Sequence, residues 1–86
     1  MAIFMADRYL PDITLETLMK LRQSAQESSE RSSTRGKPVI YLRTTFIPGD
    51  SRCLCFFESP NGKFVQEVNE AAQFPFTRII PVVELT

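Results

Sequence analysis

The chain has 86 residues, and its ten Lys and Arg side chains balance ten Asp and Glu side chains. A chain of this length predicts a single domain over residues 1–86 with a small core, and 43% hydrophobic with 23% charged residues is typical of a globular protein. The zero net charge disfavours binding to nucleic acid or to an anionic membrane surface, and no apolar run is long enough to cross a bilayer.

Histidine is absent, and the two cysteines are separated by one residue. The lack of histidine removes the commonest general base and the commonest transition-metal ligand. Cys53 and Cys55 point to the same face of an extended strand, a spacing that disfavours a disulfide between them. Reduced thiols, together with Asp7 and Arg8 where a signal peptide would be apolar, predict a cytoplasmic protein.

The first half of the chain predicts a strand, a helix and a second strand. Residues 2–10 are largely apolar on both alternating sets, which indicates a strand covered on both faces. Asp12 or Thr14 is a candidate N-cap for the helix, whose serine-rich second half is expected to be solvated and to fray near Ser32. Residues 39–47 are rich in β-branched and aromatic side chains and indicate the next strand.

The second half predicts a hairpin partner, a second helix and a last strand. Residues 48–50, Pro-Gly-Asp, are typical of a hairpin connection, and residues 51–59 follow as a central strand. Ser59 is expected to cap the second helix, with Pro60 at its first position. Residues 77–85 form the fourth strand, and a proline within it favours the edge of the sheet because proline cannot donate to a ladder.

This βαββαβ order predicts a ferredoxin-like α+β domain with a four-stranded antiparallel sheet and both helices on one face. A hairpin centred near Gly49 pairs three residues of each strand on one mixed face: Tyr41 with Phe57, Arg43 with Cys55, and Thr45 with Cys53. The more apolar face is expected to meet the helices and carries Ile40, Leu42, Thr44, Phe46, Leu54, Phe56 and Glu58. Because the mixed face is too apolar to be left in water, we expect a homodimer, either a sheet-to-sheet dimeric α/β barrel or a dimer extended along a sheet edge.

The mixed face also supplies the candidate ligand site. Tyr41, Arg43 and Cys55 are expected to contact a small molecule, with Asp7 and Arg8 at the rim. In the antiparallel order, Asp7 and Arg8 are expected to approach Arg52, Cys53 and Arg78 at one end of the sheet. This polar cluster could bind a carboxylate or phosphate through paired arginine hydrogen bonds, or it could be a structural ion pair.

Three further side chains have a chemical and a structural interpretation. Cys53 and Cys55 offer two soft thiolates to nickel, zinc or copper, although such a site needs further ligands. The simpler interpretation is that both are small buried hydrophobic residues, as free cysteines commonly are. Glu58 fits a cap of the second helix or, as the alternative, a general acid or metal ligand.

Three strings of the chain match one family pattern. The first has an acid and an arginine before a proline, Asp7-Arg8-Tyr9-Leu10-Pro11. The second has a Cys-x-aromatic-Glu string before a proline, Cys55-Phe56-Phe57-Glu58-Ser59-Pro60, and the third is the late pair Phe74-Pro75. With them, the chain from Phe4 to about Val83 resembles a family of short ferredoxin-like proteins of unknown function, some of which are described as nickel-binding. The resemblance implies dimers and a metal site. Family members often carry histidine near Arg43 and on the second helix, so their ligands are not carried over to Gln66, Val68 and Asn69.

Three functions stay open at this point. The first is a small dimeric protein that binds a small molecule or a transition metal on or beside the sheet. The second, by analogy of fold, is a cofactor-free monooxygenase or isomerase acting on a small organic substrate, with Asp7, Glu58 or a tyrosine as the proton-transfer group. The third is a non-catalytic oligomerisation or regulatory module.

Overall fold

The structure, a computed structural model, describes residues 1–85 and has the element order β1 (Ala2–Tyr9), α1 (Leu15–Thr34), β2 (Ile40–Ile47), β3 (Arg52–Ser59), α2 (Gly62–Ala71) and β4 (Arg78–Val82). The strands form one antiparallel sheet in the order β2-β3-β1-β4, and the two helices contact each other on one face of it. The ferredoxin-like prediction and the edge position of β4 are confirmed. Within residues 1–85, no helix combines the length and apolarity needed to cross a membrane.

Helix α1 begins at one of the two predicted caps. Thr14 Oγ1 accepts a hydrogen bond from the Thr17 amide at 3.1 Å, which satisfies one of the free donors of the first turn. Leu21 and Ala25 are buried on the side of the helix that faces the sheet. Leu15 and Met19 in the first turns are exposed, so the buried stripe consists of Leu18, Leu21 and Ala25 and is displaced from the one that the spacing predicts.

The second half of α1 is held in place by its serines. Ser28 Oγ donates to Val68 O of α2 at 2.8 Å, and Ser32 Oγ donates to Lys37 O at 2.7 Å. Both serines are buried, and the helix continues to Thr34. The expectation of a solvated half that frays near Ser32 is wrong, because a hydroxyl with a carbonyl acceptor can be buried where two chain segments pack closely.

A β-bulge in β2 changes the predicted pairing of the hairpin. Tyr41 pairs with Phe57 as expected, but Arg43 pairs with Phe56 and not with Cys55, because the residue between Tyr41 and Arg43 has no partner. Beyond the bulge every pair is shifted by one residue: Thr44 with Cys55, Thr45 with Leu54, and Phe46 with Cys53. The predictions that pair Arg43 with Cys55 and Thr45 with Cys53 are therefore wrong.

The face of β3 that meets the helices is the opposite of the predicted one. Cys53, Cys55 and Phe57 are 0% exposed and belong to the core beneath α1 and α2. Leu54 and Phe56, expected in that core, lie half-buried on the other face. The sequence pattern does not decide between the two faces because both alternating sets of this strand are largely apolar.

Helix α2 begins two residues later than a Ser59 cap would place it. Asn61 is the N-cap, and its Oδ1 accepts a hydrogen bond at 2.9 Å from the amide two residues on. Ser59 ends β3 instead, and its hydroxyl donates to Pro38 O at 2.7 Å. The helix opens on Gly62, where a Cβ would lie 2.9 Å from the Phe4 ring, so glycine permits the close approach of α2 to β1.

Candidate functional site

The structure divides the five predicted ligand-site residues between the two faces of the sheet. Arg8 and Cys55 are 0% exposed on the helix-facing side, and Tyr41 is half-buried on the same side. Asp7 and Arg43 lie on the opposite face. The five residues therefore belong to two clusters, one on each face of the sheet, and do not line a single pocket within the chain.

The helix-facing cluster is built around a buried arginine. Arg8 Nη2 donates to Asn69 Oδ1 of α2 at 2.5 Å, and Asn69 Nδ2 donates to Val65 O at 2.8 Å, which fixes the orientation of the amide. Within residues 1–85, Arg8 Nε and Nη1 have no hydrogen-bond partner. The residue paired with Arg8 across the β1–β3 ladder is Cys53. Because a guanidinium stays charged in proteins, the core here contains a positive charge that requires a negative one.

The two thiols are ionisable groups close to that charge. The hydrogen bond with Cys53, aided by Arg8 and Thr44 and opposed by burial, lowers the pKa of Cys55 to about 6. The same hydrogen bond, together with burial, raises the pKa of Cys53. Thr44 Oγ1 lies 3.4 Å from Cys55 Sγ and 2.6 Å from the Tyr41 hydroxyl. A line of polar groups thus leads from the buried thiols to Tyr41.

Tyr41 opens onto a groove between α1 and β2. Burial raises the pKa of Tyr41, so its hydroxyl is protonated at neutral pH. The groove has a volume of about 450 Å³, opens to solvent, and is lined by Arg22, Gln26, Tyr41, Leu42, Arg43 and Thr44. It connects the surface with the outer end of the line of polar groups.

The face of the sheet away from the helices is apolar and carries no covering layer within residues 1–85. Its half-buried apolar side chains, which we call the open face, are Ile3, Met5, Leu54, Phe56, Ile80 and Val82. At one end of the open face, Asp7 carboxylate oxygens lie 3.3 Å from Arg78 Nε and 3.5 Å from Arg52 Nη1. Glu58 lies at the other end, paired with Ile3. The face therefore has a positive end, where two arginines share one aspartate, and a negative end.

The approach of Asp7 to Arg52 and Arg78 was expected from the antiparallel order and is confirmed. Arg8 was expected in the same cluster and is not there, because successive residues of a strand point to opposite faces. The arginines at this end of the open face are therefore Arg52 and Arg78, without Arg8.

The segment after β4 adds exposed apolar side chains beside the open face. Arg43 stacks on the Phe56 ring, 4.3 Å from its centroid, and forms an ion pair with Glu84. Because β2 and β4 are the two edge strands, this ion pair joins opposite edges of the sheet. Val83 and Leu85, on either side of Glu84, are 86% and 91% exposed.

These features define the class of the protein: a short ferredoxin-like α+β domain with two helices on one face and an apolar open face on the other. The chain belongs to the family described as nickel responsive protein SCO4226-like, whose model matches residues 4–82. The crystal structure of SCO4226 from Streptomyces coelicolor A3(2) is similar, with a TM-score of 0.82 and 22% sequence identity over 99% of this chain and 100% of that chain, and this likeness shows the fold. No curated protein matches the chain. The family resemblance drawn from the sequence is confirmed.

Asn69 and Thr44 belong to the buried cluster but were not among the predicted site residues. A signal for Asn69 was available, because it lies four residues after Val65 and three before Ala72, on the apolar stripe of α2. A polar residue on such a stripe indicates a buried partner. Thr44 was expected to face the helices and does, but its contact with Cys55 has no signal in the sequence, because a hairpin without the bulge places these two residues on opposite faces.

Proposed function

We propose that the protein is a homodimer that joins two open faces and binds a small organic anion between the two sheets. The observation that carries this proposal is the open face itself, an uncovered apolar sheet surface with two arginines at one end. Association and ligand binding would then use the same surface.

The apolar character of the open face supports association with a second copy. A chain of 86 residues has a small core, and a second sheet would turn the exposed layer into interior. Val83 and Leu85 project into solvent beside the face and extend the apolar area that a partner would cover. A partner of identical sequence offers a matching apolar surface, as a two-fold interface requires.

The charges at the two ends support one orientation of that dimer. A two-fold axis between the sheets and perpendicular to the strands would place the Arg52 and Arg78 end of one chain over the Glu58 end of the other. Opposite charges then face each other, whereas an axis along the strands would oppose arginine to arginine. The strands of the two chains would accordingly run in opposite directions across the interface.

The excess of arginine supports an anionic ligand. Asp7 neutralises one of the two guanidinium groups, so one positive charge is left at this end. A carboxylate or sulfonate accepts paired hydrogen bonds from arginine, and an apolar body attached to it would contact the open face. A small apolar acid combines both properties.

Nickel, which the family description names, does not fit the donors of the single chain. The sequence has no histidine, and no three residues among Cys, Asp and Glu form a possible metal site within residues 1–85. Cys53 and Cys55 lie beneath the helices and supply two donors, whereas metal sites of zinc and related ions take at least three from the protein. The proposed function therefore includes no nickel step.

Catalysis is the less supported alternative. A proton-transfer group needs a pocket that excludes water around the substrate. The cavities lined by Tyr9 and Tyr41 are open grooves, and Asp7 is engaged by two arginines. Binding of a ligand at the open face requires neither a pocket that excludes water nor a free proton-transfer group.

Size-exclusion chromatography with light scattering tests the dimer. We expect the purified protein to have twice the 9.8 kDa mass of the chain, and Phe56→Asp, which places a charge in the open face, to give monomers. Leu15→Asp, at a residue 74% exposed on α1, is the matched control and should leave the dimer intact. A monomeric wild-type protein, or a dimer unaffected by Phe56→Asp, would contradict the proposal.

Fluorescence titration with anilinonaphthalene sulfonate, an aromatic anion, tests the ligand class. We expect saturable binding to the wild-type dimer and at least tenfold weaker binding to Arg78→Gln, because an Arg–anion contact contributes about 1.5–3 kcal/mol. Arg35→Gln, at an exposed arginine after α1, should bind like the wild type. Equal binding by all three proteins would show that the arginines of the open face have no part in it.

A further inference from the structure

The groove between α1 and the edge strand β2 changes in character along its length. Its middle, with a volume of about 450 Å³, is mostly polar, with guanidinium, amide and hydroxyl groups in its walls. A smaller stretch of about 180 Å³ is mostly apolar, with Leu18, Met19 and Phe46 in its walls. Arg22 and Thr44 line both stretches, so the two are continuous.

The bulge in β2 builds the polar middle of this groove. Residues three apart in a regular strand point to opposite faces, but the bulge turns both Tyr41 and Thr44 toward the helices. Their hydroxyl oxygens lie 2.6 Å apart. The two hydroxyl groups have two hydrogens and the bond between them uses one, so one O–H can donate to a further acceptor. Cys55 Sγ, 3.4 Å from the Thr44 hydroxyl, is a weak competitor for it.

The groove also has a positive charge without a carboxylate partner. Within residues 1–85, Arg22 forms no ion pair, and neither stretch of the groove is lined by Asp or Glu. Arg43 lines the groove as well, but its guanidinium stacks on Phe56 and pairs with Glu84. An anion in the polar middle would therefore meet Arg22 and the hydroxyl pair with no opposing charge beside it.

We propose that this groove binds a linear amphipathic carboxylate, a medium-chain fatty acid being the simplest example. The carboxylate accepts hydrogen bonds from Arg22 and from the hydroxyl pair of Tyr41 and Thr44. The alkyl chain lies along the apolar stretch beside Met19 and Phe46. Met19 is 59% exposed in the free chain, and the ligand would remove part of its apolar surface from water.

The shape of the groove favours a linear chain over a peptide strand. Leu18, Arg22 and Gln26 follow one another at successive turns of α1, so the polar and apolar stretches together extend about 12 Å. A peptide strand would need an unbroken edge of β2 for its hydrogen bonds, and the bulge after Tyr41 interrupts that edge. The groove lies on the opposite side of the sheet from the open face, so this site requires neither the proposed dimer nor its ligand.

Nuclear magnetic resonance titration of the isotope-labelled protein with decanoate, kept below the concentration at which it forms micelles, tests the site. We expect saturable shifts of the backbone amide signals of residues 18–26 and 41–46, which flank the groove. Decyltrimethylammonium, a cation with an alkyl chain of the same length, should cause no saturable shift of these signals. Shifts confined to β1 and β4 would place the acid on the open face and overturn the groove site, while leaving the proposed function standing.

Three variants at exposed positions of α1 make the test specific. Arg22→Gln should weaken decanoate binding in the groove at least about fivefold, because a charged contact at a partly solvated site is lost. Met19→Asp should weaken it at least about tenfold, because a carboxylate would lie against the alkyl chain. Arg31→Gln is the matched control and should bind like the wild type, since the helical repeat places it on the side of α1 opposite Arg22.

Several results would overturn the proposal. They are no saturable shift of the groove signals with decanoate, equal binding by Arg22→Gln or Met19→Asp, or equal binding of decyltrimethylammonium. Phe56→Asp and Arg78→Gln change the open face only, so both should bind decanoate in the groove like the wild type. A failure of the dimer or of its ligand site is therefore distinguishable from a failure of the groove site.

Discussion

A fully buried arginine interrupts the apolar inner face of the central strand β1. Arg8 follows Phe4 and Ala6 on that face and donates a hydrogen bond to the side-chain amide of Asn69 in α2. A second hydrogen bond, from this amide to the helix backbone, orients it. The amide accepts one hydrogen bond but supplies no charge. The energetic balance of the core therefore depends on both Asn69 and the neighbouring thiols.

Replacing Asn69 by alanine should lower the free energy of unfolding by about 1.5–3 kcal/mol, the usual range for a hydrogen bond to a charged group. The reason is that Arg8 Nη2 would lose its acceptor inside the core. Urea denaturation measures the change. Gln66→Ala, at an exposed position of the same helix, should change stability by no more than about 0.5 kcal/mol, and an equally small effect at Asn69 would count against this role of the amide.

The thiols should make stability depend on pH. The pKa of Cys55 is lowered to about 6 in the folded protein, whereas an unfolded cysteine titrates near about 8.5. Between these values the unfolded chain binds more protons, so stability should rise from about pH 6 to about pH 8.5 and the gain should vanish as the pH falls through 6. The raised pKa of Cys53 reverses the trend above about pH 8.5, where the unfolded thiol ionises more easily.

Thermal unfolding across this pH range provides the measurement. The double variant Cys53→Ser/Cys55→Ser should lack the rise, since it has no thiol to ionise. A rise that persists in the double variant would assign the pH dependence to other groups.

At the scale of elements, helix α1 is attached to its neighbours through serine hydroxyls as well as through apolar contacts. Ser24 and Ser28 donate to carbonyls of the α2 segment, and Ser32 and Ser33 donate to the segment that leads into β2. Small side chains allow the backbones to approach closely, and each hydroxyl reaches a carbonyl. The low helix propensity of serine is thus offset by tertiary hydrogen bonds.

Ser28→Ala should destabilise the protein by about 0.5–1.5 kcal/mol even though alanine is the better helix former. The variant removes the hydrogen bond to Val68 O, while that carbonyl keeps its bond from the Ala72 amide at 3.0 Å. Gln23→Ala, at an exposed position of the same helix, is the control and should be neutral or slightly stabilising. A stabilised Ser28→Ala variant would mean that helix propensity outweighs the contact between the helices.

At the scale of the whole molecule, the two faces of the sheet carry separate roles. The inner face forms the core with the helices and contains the thiol cluster, whereas the apolar side chains of the open face have no covering layer within residues 1–85. The chain after β4 lies beside the open face through the ion pair of Glu84 with Arg43. Substitutions on the open face and substitutions in the thiol cluster therefore affect separate parts of the molecule.

If two chains associate through the open face, the thermal midpoint should rise with protein concentration, because association stabilises the folded chain by mass action. Calorimetric scans of the wild-type protein over a hundredfold concentration range measure this rise. Phe56→Asp should show a lower midpoint that is independent of concentration. A wild-type midpoint that does not change with concentration would argue against a dimer coupled to folding.

Local patterns in the sequence were sufficient for the order of elements and for the family. Short apolar runs rich in β-branched and aromatic residues, the Pro-Gly-Asp connection and the proline in β4 depend on neighbouring residues only, so they identified the strands, the hairpin and one edge of the sheet. The Asp7 contact with two arginines also followed, because antiparallel order brings strand ends together.

Only the tertiary structure decided which face of each strand lies inside. Both alternating sets of β3 are apolar, and a single unpaired residue after Tyr41 moves every later side chain of β2 to the other face. Cys55 therefore joins Arg8 and Asn69 in the core, while Arg43 lies on the open face. Side-chain facing depends on how helices distant in the sequence pack on the sheet, and local periodicity contains no information about that packing.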